Sequence, residues 1–168
     1  MAVLTKDELV AGLQSEVRIL LHLCSKIDRA QLDYRPSPKQ RSTIELLRYL
    51  TIMGPGLLAG IKAGAFDGEA WGKASAEANA KDFDQVLATL GKQSEQYTQL
   101  VGTYSDEDFR GVIDMFGNKA SRGSIIVNLV LGGHAAYRTQ LFLYLKACGR
   151  EELNTMNLWG GMDAPAQG

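Results

Sequence analysis

The chain has two cysteines, two histidines, four prolines and a net charge of −1 in 168 residues, and each shortage removes a class of function. Cys24 and Cys148 form no CxxC pair and no secreted-type framework, so disulfide scaffolds and thiolate metal sites are excluded. Each falls in an apolar helical pattern, which suits a core thiol in a reducing compartment. Eighteen basic residues against nineteen acidic ones, without a basic run, give no footprint for nucleic acid or an anionic membrane. No stretch reaches the roughly 18 apolar residues of a membrane span. MAVLTKDELV carries acidic residues where a signal peptide needs an unbroken apolar stretch. The expectation is a soluble, cytoplasmic protein with no nucleic-acid and no membrane partner.

What is present is helical periodicity. At 45% apolar and 22% charged residues, the length suits one domain with a real core. Thr5-Lys6-Asp7-Glu8 has the spacing of a capping box, and Leu9, Leu13, Val17, Leu20, Cys24 and Ile27 then recur at three- and four-residue steps. Ser15, Arg18, His22 and Lys26 fall on the opposite, solvent-facing side. Glu16 lies inside the apolar stripe, where a carboxylate needs a partner.

QLDYRPSPKQR reads as a connecting loop, and Ser42-Thr43-Ile44-Glu45 is a second capping box. The second helix runs through IELLRYLTIM to Gly54-Pro55, which should kink or end it before a short extra helix, GLLAGIKAG. AFDGEAWGKASAEANAK reads as a polar loop. Asp82 then caps a third helix whose stripe is Phe83, Val86, Leu87, Leu90, Tyr97, Leu100 and Val101. Ser105 can cap a single turn, and RGVIDMFGNKASRG is too glycine-rich for a long helix and suits an extended segment. The fourth helix opens near Ser121 or Ser124 and ends at Gly149. Four main helices with crossing loops predict an all-α four-helix bundle over residues 1–151, with an irregular tail over 152–168 packed back through Leu158 and Trp159.

Along the fourth helix, Ile126, Val130, Gly133, Tyr137, Leu141, Tyr144 and Cys148 form the predicted buried line, with His134 on its flank. One reading gathers His134, Tyr137, Glu16 and Tyr49 around an interior pocket, with Glu16 and His134 as catalytic candidates. Its counterpart makes them core residues whose polar tips find partners, Glu16 pairing with His134 or an arginine. Leu21, Leu23, Phe142 and Leu143 lie off the core lines and mark a candidate interface.

RSTIELLRYL at the start of the second helix and YRTQLFLYLKACG on the last resemble the DinB/YfiT-like superfamily of metal-dependent four-helix bundles. The resemblance implies a DinB-like bundle, commonly a homodimer. Its metal-binding members, hydrolases and thiol-dependent transferases among them, use one histidine on the second helix and two on the last. Matching ELLRYL to ELLxHL puts Tyr49 at the first ligand position. Aligning Arg138, Gln140, Leu141, Tyr144 and Leu145 to HxxHHRGQLxxYL puts Gly133 and Tyr137 at the other two. All three histidines are absent, so no metal ligands and no cofactor are expected; a divalent transition metal would require a different alignment.

Two readings are open. The first is a homodimeric small-ligand-binding or structural protein, with Tyr49, His134, Tyr137 and Arg138 at the ligand. The alternative is an enzyme of the hydrolase or transferase type that uses a buried Glu/His/Tyr pocket, with or without a divalent metal.

Overall fold

A computed structural model of the chain describes residues 4–165. Helix α1 spans Lys6–Cys24, α2 Thr43–Ala63, α3 Gly68–Asn79, α4 Phe83–Gly91, α5 Gln93–Gly102 and α6 Asp106–Arg110. Strands β1 (Val112–Met115) and β2 (Asn118–Ser121) form an antiparallel hairpin, after which come α7 (Arg122–Ile125), a π-helical turn at Ile126–Leu131 and α8 (Gly132–Ala147). Four rods make the bundle: α1, α2, α4 with α5, and the α7-to-α8 run. Their apolar stripes enclose one core that includes Leu13, Val17, Leu47, Leu50, Val86, Tyr97, Val130 and Leu141.

The local start signals form as expected. Thr5 and Glu8 exchange hydrogen bonds at the head of α1, Ser42 and Glu45 do so at α2, and Asp82 with Gln85 does so at α4. Gly149 succeeds α8 with φ of 93°, the left-handed conformation that suits a helix end. The VIDMFGNK stretch is extended, with Met115 paired to Asn118 across a two-residue turn in which Phe116 and Gly117 both have positive φ.

Four expectations about the helices are corrected. Helix α2 does not break at Gly54-Pro55, and there is no separate short helix beyond it; Pro55 lies inside one 21-residue helix. Proline removes the amide that would bond the Thr51 carbonyl. The buried Gln93 side-chain amide replaces it, donating to Leu50 O at 2.8 Å and Thr51 O at 3.2 Å. Second, AFDGEAWGKASAEANAK is no loop, because Asp67 caps the Ala70 amide and an alanine-rich run propagates α3.

Third, the long third helix is interrupted at Lys92, giving α4 and α5. Fourth, the predicted buried line of the last helix holds at Ile126, Val130, Leu141 and Tyr144 but not at Gly133 and Tyr137. The π-helical turn at Ile126–Leu131 interrupts the 3.6-residue repeat just before these positions. His134 and Arg138 therefore face the core, while Gly133 and Tyr137 are only half-buried.

The tail matches the expectation in part. It packs across the polar side of α1, so His22 is covered rather than solvent-facing: Asn157 bonds its ring, and Asp163 pairs with Lys26 at 2.7 Å. Leu153 and Asn157 are the buried anchors, Leu158 is half-buried, and Trp159 stays 67% exposed beneath the Arg138 guanidinium. Leu23 is wholly in the core and Leu21 and Phe142 pack against it, because α1 and α8 are covered on more than one side; of the four proposed interface residues only Leu143 is exposed. Helix α2 is apolar and long enough to cross a membrane by composition, and more than half of that stretch is buried in the bundle.

Candidate functional site: an aromatic cavity between α2, α3 and α8

Tyr49 stands in the second turn of α2, and Gly133 and Tyr137 stand one turn apart on α8. These three positions line one cavity of about 500 Å³. Gly133 is tight against α2: a Cβ there would lie 3.3 Å from the Met53 sulfur, so the small residue lets α8 approach closely. The Tyr49 and Tyr137 rings meet edge to face with centroids 5.0 Å apart. Burial, then the neighbouring Tyr137 hydroxyl, pushes the Tyr49 phenol up to about 12, so it is a neutral hydrogen-bonding group at physiological pH.

Three further aromatics complete the wall. Trp71 of α3 meets Tyr49 at 6.2 Å, Phe66 meets Trp71 at 5.3 Å, and Phe116 meets Phe66 at 5.1 Å. Phe116 is a bulky residue held at φ of 56°, a costly conformation, and its ring is 63% exposed at the cavity rim. Met53, Leu57 and Leu129 make the rest of the wall apolar, with Asn128 as a polar neighbour. Such a chamber suits a small apolar or aromatic molecule oriented by two phenols.

Sequence reading found Tyr49, Gly133 and Tyr137 but missed Phe66, Trp71 and Phe116. The signals were present: an Asp67 cap before an alanine-rich run, and a Phe-Gly pair between strand-like segments.

The other candidate residues are placed elsewhere. Glu16 and Arg138 form a two-pronged ion pair between α1 and α8, with the Arg138 Nε and Nη2 groups each donating to one carboxylate oxygen. Arg138 also donates to the Leu158 carbonyl. The side chains are 13% and 4% exposed, so each charge is largely sealed against the other. His134 is buried in the core against Tyr97, their rings edge to face. Glu16, His134 and Arg138 do not line the aromatic cavity, so the structure does not gather them with the tyrosines around one pocket.

Burial, then the nearby Arg138 charge, pulls His134 down from the usual 6.5 to about 4. Burial also keeps the Tyr97 phenol protonated, and its hydroxyl shares a hydrogen bond with Nε2 of the neutral imidazole. The sign for stability is set by proton uptake: between pH 6.5 and 4 the unfolded chain binds the histidine proton and the folded chain does not. The contribution is complete above pH 6.5, declines through this window and is lost below pH 4. Its size is about 3 kcal/mol from the shift. Denaturant melts of the native chain and His134→Gln at pH 7 and pH 4.5 should show a smaller acid-induced loss in the variant; equal losses would contradict this.

Cys24 is buried and its thiol is raised to about 12, which makes it an inert core group.

No protein-family model and no curated protein matches the sequence. Among solved structures, the DinB-like protein YjoA of Bacillus subtilis is similar, with 19% identity and a TM-score of 0.64 over 87% of this chain and 95% of that one. With the bundle, the crossing segments and the α2–α8 cavity, that likeness settles the architecture: the chain has the DinB-like fold.

Proposed function

We propose that this protein is a metal-free, homodimeric DinB-like bundle that binds a small apolar or aromatic molecule in the cytoplasm. The observation that carries the reading is the cavity at Tyr49, Gly133 and Tyr137. At the three positions where the resemblance calls for imidazoles, the chain places two phenols and a glycine, and it surrounds them with Trp71, Phe66 and Phe116. Neutral phenols are poor ligands for zinc or nickel at neutral pH, but they are good hydrogen-bond donors to a neutral guest. The free thiols suit a reducing compartment, and the exposed Leu143 offers an apolar contact for a second copy.

Trp71 provides the readout. In a Trp159→Phe background, titration with 2-naphthol should shift Trp71 emission saturably. Ala136→Phe, which adds a ring on the cavity wall, should weaken binding at least about tenfold without lowering thermal stability. Absence of saturable binding below millimolar probe would refute the ligand-binding reading. Elemental analysis of untagged protein showing about one zinc or nickel per chain would refute the metal-free part, and a monomeric solution mass would refute the dimer.

A further inference from the structure

A second, smaller chamber lies on the far side of Tyr49. It holds about 470 Å³ between the start of α2 and the end of α3, and its charged groups are two arginines and one carboxylate. The Arg41 guanidinium lies over the Tyr49 ring, 4.0 Å from the centroid, and itself makes no hydrogen bond or ion pair among the described residues. Its backbone is anchored, since the Tyr144 hydroxyl donates to the Arg41 carbonyl at 2.9 Å. Arg48 spends Nε and Nη2 on the Lys81 carbonyl. Ser75 and Asn79 add a hydroxyl and an amide one turn apart on α3.

The one carboxylate in the lining is already satisfied. One Glu45 oxygen accepts from the Ser42 amide at 2.8 Å and the other from Arg35 at 3.2 Å. Those same contacts, the backbone amide first, hold its carboxyl below the ordinary range, so it stays ionised and occupied. What remains to meet a guest is two guanidinium charges, one of them wholly uncommitted, with neutral donors beside them.

We infer that this chamber is the anion subsite of the same ligand, which is therefore an amphiphilic carboxylate: its apolar end fills the aromatic cavity and its carboxylate is held by Arg41. The inference rests on the aromatic cavity being a ligand pocket. Tyr49 is the shared wall, with the Arg41 guanidinium over its ring and the Tyr137 ring packed edge to face with it. The contact with Tyr49 holds the Arg41 guanidinium at the chamber while its N–H groups have no protein partner among the described residues, so they are available to bind a carboxylate with two parallel bonds.

The test uses phenylbutanoate and phenylhexanoate, each against its own primary amide, read by Trp71 emission in the Trp159→Phe background. At least one acid should bind about tenfold more tightly than its amide, the ratio expected for a charge-assisted hydrogen bond in a half-open site. Arg41→Gln should bring that ratio to within about twofold of unity, chiefly by weakening the acid. Arg41→Lys should recover part of the preference, since it restores charge without the fork. Equal binding of acid and amide by the native chain, or a preference that survives Arg41→Gln, would overturn the anion subsite while amide binding left the cavity reading standing. Failure of every acid and amide to bind would overturn both.

Discussion

Replacing Gly54 by alanine should lower the stability of the fold by about 3 kcal/mol, although the same change in most helix interiors gains up to about 1 kcal/mol. A Cβ at Gly54 would lie 1.8 Å from the Tyr97 hydroxyl and 2.7 Å from the ring carbon that bears it. The phenol has nowhere to go. Tyr97 is fully buried, its ring packs on His134, and its hydroxyl is committed to the imidazole. Accommodating the methyl would therefore combine overpacking with the loss of a buried hydrogen bond, each costing about 1–3 kcal/mol. For a chain of this length that corresponds to roughly 10 °C in Tm. In a Tyr97→Leu background the notch is no longer filled by a phenol, and Gly54→Ala should become neutral or stabilising. A Gly54→Ala protein that melts at or above the native temperature would show that the glycine is not needed for this contact.

That contact also shows why the sequence misled at Gly54-Pro55. By local rules a glycine next to a proline ends a helix, and both local costs are present. Each is compensated from α5, which lies about forty residues away in sequence: Gln93 supplies the donor that Pro55 lacks, and Tyr97 fills the space that Gly54 leaves. Periodicity cannot reveal such compensation, because the residues responsible belong to another element. The four rods, their caps and the extended VIDMFGNK segment were legible because Thr5, Ser42, Asp82 and their partners act within one turn of chain.

The site was half legible for a related reason. Tyr49, Gly133 and Tyr137 were located by motif alignment, which counts along the chain and is indifferent to a π-helical turn upstream of the motif. Burial on the same helix was inferred from a strict 3.6-residue repeat, which the Ile126–Leu131 turn interrupts, so His134, expected on the flank, lies in the core while Gly133 and Tyr137 are half-buried. Phe66, Trp71 and Phe116 were invisible as wall residues because their segments read as loops. Arg41 escaped notice because it precedes a capping box and belongs to no periodic face.

Glu16→Ala should destabilise the protein by about 3–5 kcal/mol, because it leaves the Arg138 guanidinium buried without its anion. Arg138 is the less forgiving partner: its side chain is 4% exposed, and it also holds the Leu158 carbonyl and lies over the Trp159 ring. Glu16→Gln retains shape and one acceptor and should lose less. The double variant Glu16→Met/Arg138→Met removes both charges together and should recover much of the loss, since the attraction within a buried pair mainly offsets its own desolvation. It should nevertheless release the tail, which Arg138 holds at Leu158, and Trp159 emission in a Trp71→Phe background should change accordingly. These outcomes separate two roles for the pair. If Glu16 tethers α1 to α8, the folded fraction of every variant will bind 2-naphthol with native affinity, because the pair lies outside the aromatic cavity. If Glu16 instead serves the ligand as acid or base, Glu16→Gln will change probe affinity or its pH dependence at unchanged Tm, and the two-compartment picture of a structural ion pair beside an apolar binding cavity would have to be abandoned.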